Sequence, residues 1–415
     1  MEATIHNKSQ VLRELEIRVP EEEIQKAFTE AYQAIRPKMA LPGFRSGKAP
    51  LSVIKKMHGD AIEGDTLERI AQEKFKTVVE EQKLEPIGTP VMTDLHRHHG
   101  EGAHFRISYE VKPDITLNNY EGTEVEQPIF TVTDEDVNER IHYLQFNYST
   151  KEATQHIADT ETIVSLSFVD PASGGNKEST TVYLHDPQIV AELRDAILGK
   201  NVGDAFEVDL PLSGEPGAEK RPVSVTIDAA EKVTLPVIDE EFCKKISRDK
   251  AATELEVRMM IREELELQAK RKSEEAVEGN MVQALLSKHE FDVPNTYTYA
   301  IIDSMIAELK EENKRKGYPE DYGINVEEYR KLAWSNAELR AKWLLLRDKL
   351  VTAMDIDATE EELTKLAETD AAQYGISKEN LLKYYLSNEE IKERIRSQKL
   401  VEKLKKQFVI KEKTV

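Results

Sequence analysis

From Asp239 to the C-terminus the hydrophobic pattern is helical throughout, whereas the stretches that read as strand lie earlier in the chain. Such segregation points to separate domains rather than one body of alternating strands and helices. A length of 415 residues suits roughly two to four domains. The helical region opens with a long, heavily charged helix, about Thr253 to His289, with Leu255, Met259, Leu265, Val277 and Leu285 among its apolar positions. FDVP at residues 291 to 294 breaks it, and further helices are expected near 296 to 316, 326 to 354, 360 to 374 and 388 to 408. No short-period repeat links them, so they read as hairpins and not as a solenoid.

Before Asp239 two strand-bearing regions stand apart. Residues 10 to 19, QVLRELEIRV, alternate as a half-buried strand does, and Pro20 ends the run. A helix is expected next, with Glu21, Glu22 and Glu23 in its first turn and Ile24, Phe28, Ala31 and Ile35 on one face. A short helix from Pro50 and a third from Asp60 to about Lys83 follow. Strand-like runs at Pro90 to Arg97 and Ala103 to Val111 flank a GEG turn and close an α+β domain near residue 112. Residues 113 to 131 read as an extended linker, followed by an amphipathic helix from Thr133 to about Tyr148 with Val137, Ile141 and Leu144 inward. From Ile157 to Val233 the runs IVSLSFVD, TTVYL, AFEVDL and VSVTIDAAEKV describe a small β-rich domain with one helical segment, IVAELRDAIL, closed by Gly199. The boundaries so expected are 1–112, 113–156, 157–233 and 234–415.

Charge is unevenly spread over these regions. The net charge is -21, yet residues 1 to 112 hold 17 Lys and Arg against 18 Asp and Glu, leaving 40 against 60 for the rest. The window from Ala31 to Gly59 has no acidic residue and carries Arg36, Lys38, Arg45, Lys48, Lys55 and Lys56. A positive patch on an acidic protein is the footprint of docking on a polyanion; chance clustering on a solvated helix face is the competing explanation. The single cysteine, Cys243, excludes an intramolecular disulfide and suits a reducing compartment. With no basic-then-apolar start and no run of 18 apolar residues, a cytoplasmic chain that does not span a membrane is expected.

Within the basic window lies GFRSGKAP, residues 43 to 50. Gly43 and Gly47 permit a sharp turn, Pro42 and Pro50 punctuate its ends, and Phe44, Arg45 and Lys48 are thereby presented at a tip. One aromatic ring, one forked guanidinium and one ammonium suit a mixed protein and RNA surface. The string fails as a Walker A loop. Its glycines are separated by three residues instead of four, Ala49 stands where Ser or Thr would hold magnesium, and a helix precedes it where a strand is needed.

GFRSGKAP resembles the G-F-R-x-G-K-x-P ribosome-binding signature of trigger factors, with Gly43, Phe44, Arg45, Gly47, Lys48 and Pro50 in the matching positions. The order of regions is similar as well: a ribosome-binding α+β domain, a linker with a helix, an inserted domain of the FKBP type, then an all-α C-terminal domain with helical arms. The resemblance implies a multidomain α+β fold and an ATP-independent chaperone. Its implied partners are the large ribosomal subunit, through protein and rRNA, and nascent or unfolded polypeptides, with self-association left open and no cofactor. It assigns ribosome binding to Gly43, Phe44, Arg45, Gly47 and Lys48, and no catalytic residue.

The FKBP-like region departs from that family's pattern. By register Val190 and Ala191 replace the Ile-Pro of the prolyl pocket, Leu193 replaces its Phe, and the loop SGEPGAEKRP has no aromatic. Phe168 and Phe206 read as core residues before they read as pocket remnants. Prolyl isomerase activity is therefore expected to be weak or absent, although a ribosome-associated isomerase and a helical RNA-binding adaptor stay open as alternatives. His96, His98, His99 and His104 surround a hairpin without metal-ligand spacing, so solvated histidines are expected there and no metal.

Overall fold

The alternation of QVLRELEIRV becomes β2 (Leu12–Val19), which pairs antiparallel with β1 (Glu2–Asn7) on one edge and β4 (Gly102–Val111) on the other. With β3 (Pro86–His98) beyond β4, the sheet runs β1-β2-β4-β3. The computed structural model describes residues 2–42, 44–45, 47–98, 100–169, 177–211 and 220–415. Register places Leu15 opposite Ile107, Ile17 opposite Phe105 and Val19 opposite Ala103, and all six are buried. Period two along each strand thus builds one apolar face. β1 is hard to read from sequence because most of its six residues are exposed and only Ala3 and Ile5 pack, half-buried, against the core.

Two helices cover that face. α1 (Glu21–Ile35) buries Ile24, Phe28 and Tyr32, with Ala31 and Ile35 only partly packed. α2 (Leu51–Gln82) is one continuous helix, where a short helix and a separate one from Asp60 were expected. The GDAIEG segment does not interrupt it. A helical glycine costs about 1 kcal/mol, and the buried stripe of Ile54, Ile62, Leu67, Ile70 and Val78 outweighs that cost. Gly59 also has a use, since a Cβ there would lie 3.3 Å from the Tyr32 hydroxyl of α1.

The chain folds into two compact units: Met1–Glu126 with Val277–Lys411, and Gln127–Ala276 with Glu412–Val415. In the first unit the N-terminal layer is joined by α7 (Asn295–Arg315), α8 (Val326–Ala353), α9 (Glu360–Tyr374), α10 (Lys378–Ser387) and α11 (Glu389–Gln407). α10 was not expected. Residues 113 to 131 are more than a linker: Ile115, Tyr120 and Val125 are buried in one cluster with Leu285, Leu346, Leu350 and Leu404. Within that segment β5 (Glu124–Ile129) pairs with a C-terminal strand, β11 (Val409–Thr414). β4 also secures the start of α7. That helix follows Pro294, which has no side-chain cap, and the Glu110 carboxylate accepts from the amides of Asn295 and Thr296 at 2.9 and 2.8 Å.

The second unit holds α3 (Asp134–Asn147), started by a Thr133–Asp136 capping box, with Val137 and Ile141 buried. Its β-region contains β6 (Thr150–Ala153), β7 (Thr162–Val169), β8 (Lys177–Tyr183), α4 (Ala191–Ile197), β9 (Ala205–Pro211) and β10 (Lys220–Thr234). The antiparallel sheet runs β6-β10-β7-β8, with β9 also on β10. Leu193 is buried in its core, and Phe168 and Phe206 pack against that core from partly buried positions. Most of the loop SGEPGAEKRP lies outside the described residues. α5 (Glu240–Ser247) and the part of α6 (Glu254–Lys288) up to Ala276 follow, and the rest of α6 belongs to the first unit. The molecule is thus a multidomain α+β protein with a helical C-terminal region.

Candidate functional site

The chain between α1 and α2 is held at its base and free at its tip. After a short 3-10 turn (Arg36–Lys38), Leu41 and Ala49 are buried in the core of the N-terminal layer. Between these anchors the Gly47 amide donates to the Met39 carbonyl at 3.3 Å, Phe44 to Leu41 at 3.1 Å and Lys48 to Arg45 at 2.9 Å. Gly47 has φ +73°, and a Cβ there would come within 3.2 Å of Pro37 backbone atoms. Glycine is required on both counts. Gly43 and Ser46 lie outside the described residues.

Phe44 is 41% exposed although it is a large aromatic, and Arg45 and Lys48 are exposed beside it. No carboxylate pairs with Lys38, Arg45, Lys48 or Lys56 among the described residues, while Lys55 lies 3.6 Å from Glu63. Unpaired cations and an uncovered ring leave the tip ready for an anionic surface with an apolar recess. Leu51 and Met57, on the first turns of α2, are exposed as well. The sequence does not single them out, because a helical apolar residue is ordinarily assigned to a core.

Below the loop a polar network fixes α1 against α2. Arg97 of β3 donates from Nη1 to Glu63 at 2.9 Å and from Nη2 to Glu21 at 3.0 Å, and its guanidinium lies 4.7 Å from the centre of the Phe28 ring. The Tyr32 hydroxyl donates to Glu63 at 2.9 Å; burial, and then this bond to a carboxylate, push it up to about 12. Both helices that carry the loop ends are tied to the sheet through these contacts. On the other side of the sheet hairpin, His96 pairs with Asp94 at 2.9 Å and His104 with Glu16 at 2.8 Å. His99 lies outside the described residues, as does the side chain of His98.

Apolar side chains are also exposed along the helices. In the first unit Tyr322 is 60% and Leu332 78% exposed, with Tyr318 stacked on Tyr322 at 4.8 Å between ring centres. In the second, Leu255 and Met259 of α6 are exposed. Among the described residues no helix is long and apolar enough to cross a membrane.

Two family models match the chain: bacterial trigger factor protein over residues 1–144, and bacterial trigger factor protein C-terminus over residues 255–406. A trigger factor of Salinibacter ruber is 28% identical over 428 residues, covering 97% of this chain and 92% of its own length. One from Geobacillus thermodenitrificans is 28% identical over 418 residues, covering 97% and 96%. A solved structure reported under "Promiscuous Substrate Recognition in Folding and Assembly Activities of the Trigger Factor Chaperone" aligns over 97% of this chain and 98% of its own, at 20% identity and a TM-score of 0.46. With the two family models spanning most of its length and full-length relatives alongside them, this chain belongs to the bacterial trigger factor family.

Proposed function

We propose that this chain is a ribosome-associated chaperone that docks through the loop at Phe44, Arg45 and Lys48 and holds nascent or unfolded polypeptides without nucleotide. The observation that carries the docking assignment is the exposed Phe44 beside Arg45 and Lys48, two cations without acidic partners among the described residues, on a loop closed at its base by Gly47. Arg45 and Lys48 would meet rRNA phosphates, and Phe44 a recess in a ribosomal protein. Gly43 and Gly47 complete the proposed ribosome-binding set, and Gly47 supports it through the backbone of the turn. Holding would draw on many weak contacts from exposed side chains such as Leu332, Tyr322 and Met259. The proposed setting is cytoplasmic, and the proposed functional boundaries are those of the sequence, 1–112, 113–156, 157–233 and 234–415.

Catalysis of prolyl isomerisation is not the favoured reading. Leu193, at the position of the pocket Phe, is buried in the domain's own core. The test is co-sedimentation with ribosomes of the wild type and of a chain carrying Phe44→Ala, Arg45→Ala and Lys48→Ala. Loss of binding with retained suppression of client aggregation is the expected result, and undiminished binding by the triple variant would refute the assignment.

A further inference from the structure

Three side chains distant in sequence meet at one oxygen atom in the second unit. His142 comes from α3, Glu161 lies just before β7, and His185 lies just after β8. His142 Nε2 is 3.0 Å and His185 Nδ1 3.1 Å from the same carboxylate oxygen, Glu161 Oε1. The two imidazoles stack face to face, 3.6 Å between centres and 11° between planes, so holding one ion through both nitrogens requires the rings to splay apart. One ligand atom from each residue falls within 4.8 Å of the other two, and this is the one such group of three or more metal-binding side chains among the described residues.

The surroundings leave room for a cation among these three groups. The Tyr183 hydroxyl donates to the other oxygen of Glu161, which orients the carboxylate and leaves Oε1 for the site. A hydrogen-bonded neighbour that fixes a ligand in this way is the usual outer support of a metal centre. His142 and His185, with Tyr183 beside them, line a cleft of about 390 Å³, which leaves room for a further ligand, and Glu139 and Asp186 on its wall outnumber the one basic residue there, Arg194. Ligand atoms about 2.0–2.1 Å from a tetrahedral zinc ion lie about 3.3 Å apart. The two nitrogen-to-oxygen distances here are already close to that edge. Two imidazoles and one carboxylate suit zinc, cobalt or nickel, whereas magnesium and calcium require mostly oxygen.

We propose that His142, Glu161 and His185 form a binding site for one borderline divalent ion of the zinc class, which fastens helix α3 to the β-sheet of the same unit. The fourth position faces the cleft and takes water or an incoming donor group.

The experiment uses the full chain. Zinc chloride is titrated calorimetrically into wild type, His142→Ala, His185→Ala and Tyr183→Phe, with magnesium chloride as the oxygen-preferring control, and cobalt(II) chloride is added to each while visible absorption is recorded. Wild type should bind one equivalent of zinc that both histidine variants lack. Its cobalt complex should show the intense visible bands of a tetrahedral site, while magnesium gives no comparable binding. Tyr183→Phe should keep the site with affinity about 10 to 100-fold weaker, as expected when an outer support is removed. Equal zinc binding by wild type and both histidine variants would mean that other side chains, such as the hairpin histidines, hold the ion, and would overturn the proposal. The wild-type cobalt spectrum needs no substitution, so its absence would overturn the proposal even if a variant failed to fold.

Discussion

The backbone amide of Gly47 donates to the carbonyl of Met39 at 3.3 Å, closing the loop that presents Phe44 into a short hairpin-like turn. That bond exists because Gly47 adopts φ +73° with its missing Cβ turned at Pro37. In Gly47→Ala, left-handed backbone costs about 1–2 kcal/mol in addition to the close approach. Ribosome affinity should fall up to about tenfold, with circular dichroism unchanged. Equal affinity would show that docking does not depend on this turn.

Glu110 acts where the sequence offers α7 no cap of its own. Its carboxylate takes the amides of Asn295 and Thr296, and the Thr296 hydroxyl at 2.7 Å. Glu110→Ala should lower stability by about 1–2 kcal/mol, the usual loss for a helix cap. Hydrogen exchange at residues 295 and 296 should accelerate by more than elsewhere, and unchanged exchange there would deny Glu110 the capping role.

Acid should weaken the N-terminal sheet through Glu16. The nearby His104 imidazole, foremost among its causes, holds this carboxyl down at about 2 from an ordinary 4.5, with Arg18 and His6 adding to the effect. A carboxylate with a depressed folded value binds its proton more readily in the unfolded chain. Its stabilisation is therefore present above about pH 4.5 and is lost as pH falls through about 2. The difference in unfolding free energy between wild type and Glu16→Gln should shrink across that window. A difference constant from pH 5 to pH 2 would contradict this assignment.

Client holding should be shared among exposed apolar residues. Leu332→Ser or Tyr322→Ser alone should leave aggregation suppression nearly intact. Combining both with Leu255→Ser and Met259→Ser should reduce it several-fold, while ribosome binding is kept. Complete loss from one substitution would point to a single binding pocket instead.

Much of this is legible in the sequence, and the rest is hidden for identifiable reasons. Period two in Leu15, Ile17 and Val19 and helical period in Ile24 and Phe28 report burial directly, because one face of each element meets a core. GFRSGKAP announces its loop through glycine and proline chemistry that few other backbones need. Ile115, Tyr120 and Val125 carry no period, so their burial against the C-terminal helices cannot be read from residues 113 to 131 alone. The glycines of α2 suggest a break only while local propensity is weighed without the buried stripe that overrides it. His142, Glu161 and His185 show no ligand spacing along the chain, since the fold and not the local sequence brings them together.

Docking by the tip of the loop is tested most directly by measuring the affinity of wild type and the Phe44→Ala, Arg45→Ala, Lys48→Ala variant for isolated large ribosomal subunits. The titration is run at several salt concentrations, with and without an equal mass of unrelated folded RNA. Loss of one aromatic anchor and two cations should weaken binding about a hundredfold and flatten the salt dependence by about two phosphate contacts. Wild type should prefer subunits over the competitor, because only a matched protein and RNA surface uses Phe44 together with Arg45 and Lys48. A variant that binds subunits as tightly as wild type, or a wild type displaced equally well by the unrelated RNA, would contradict docking through this loop.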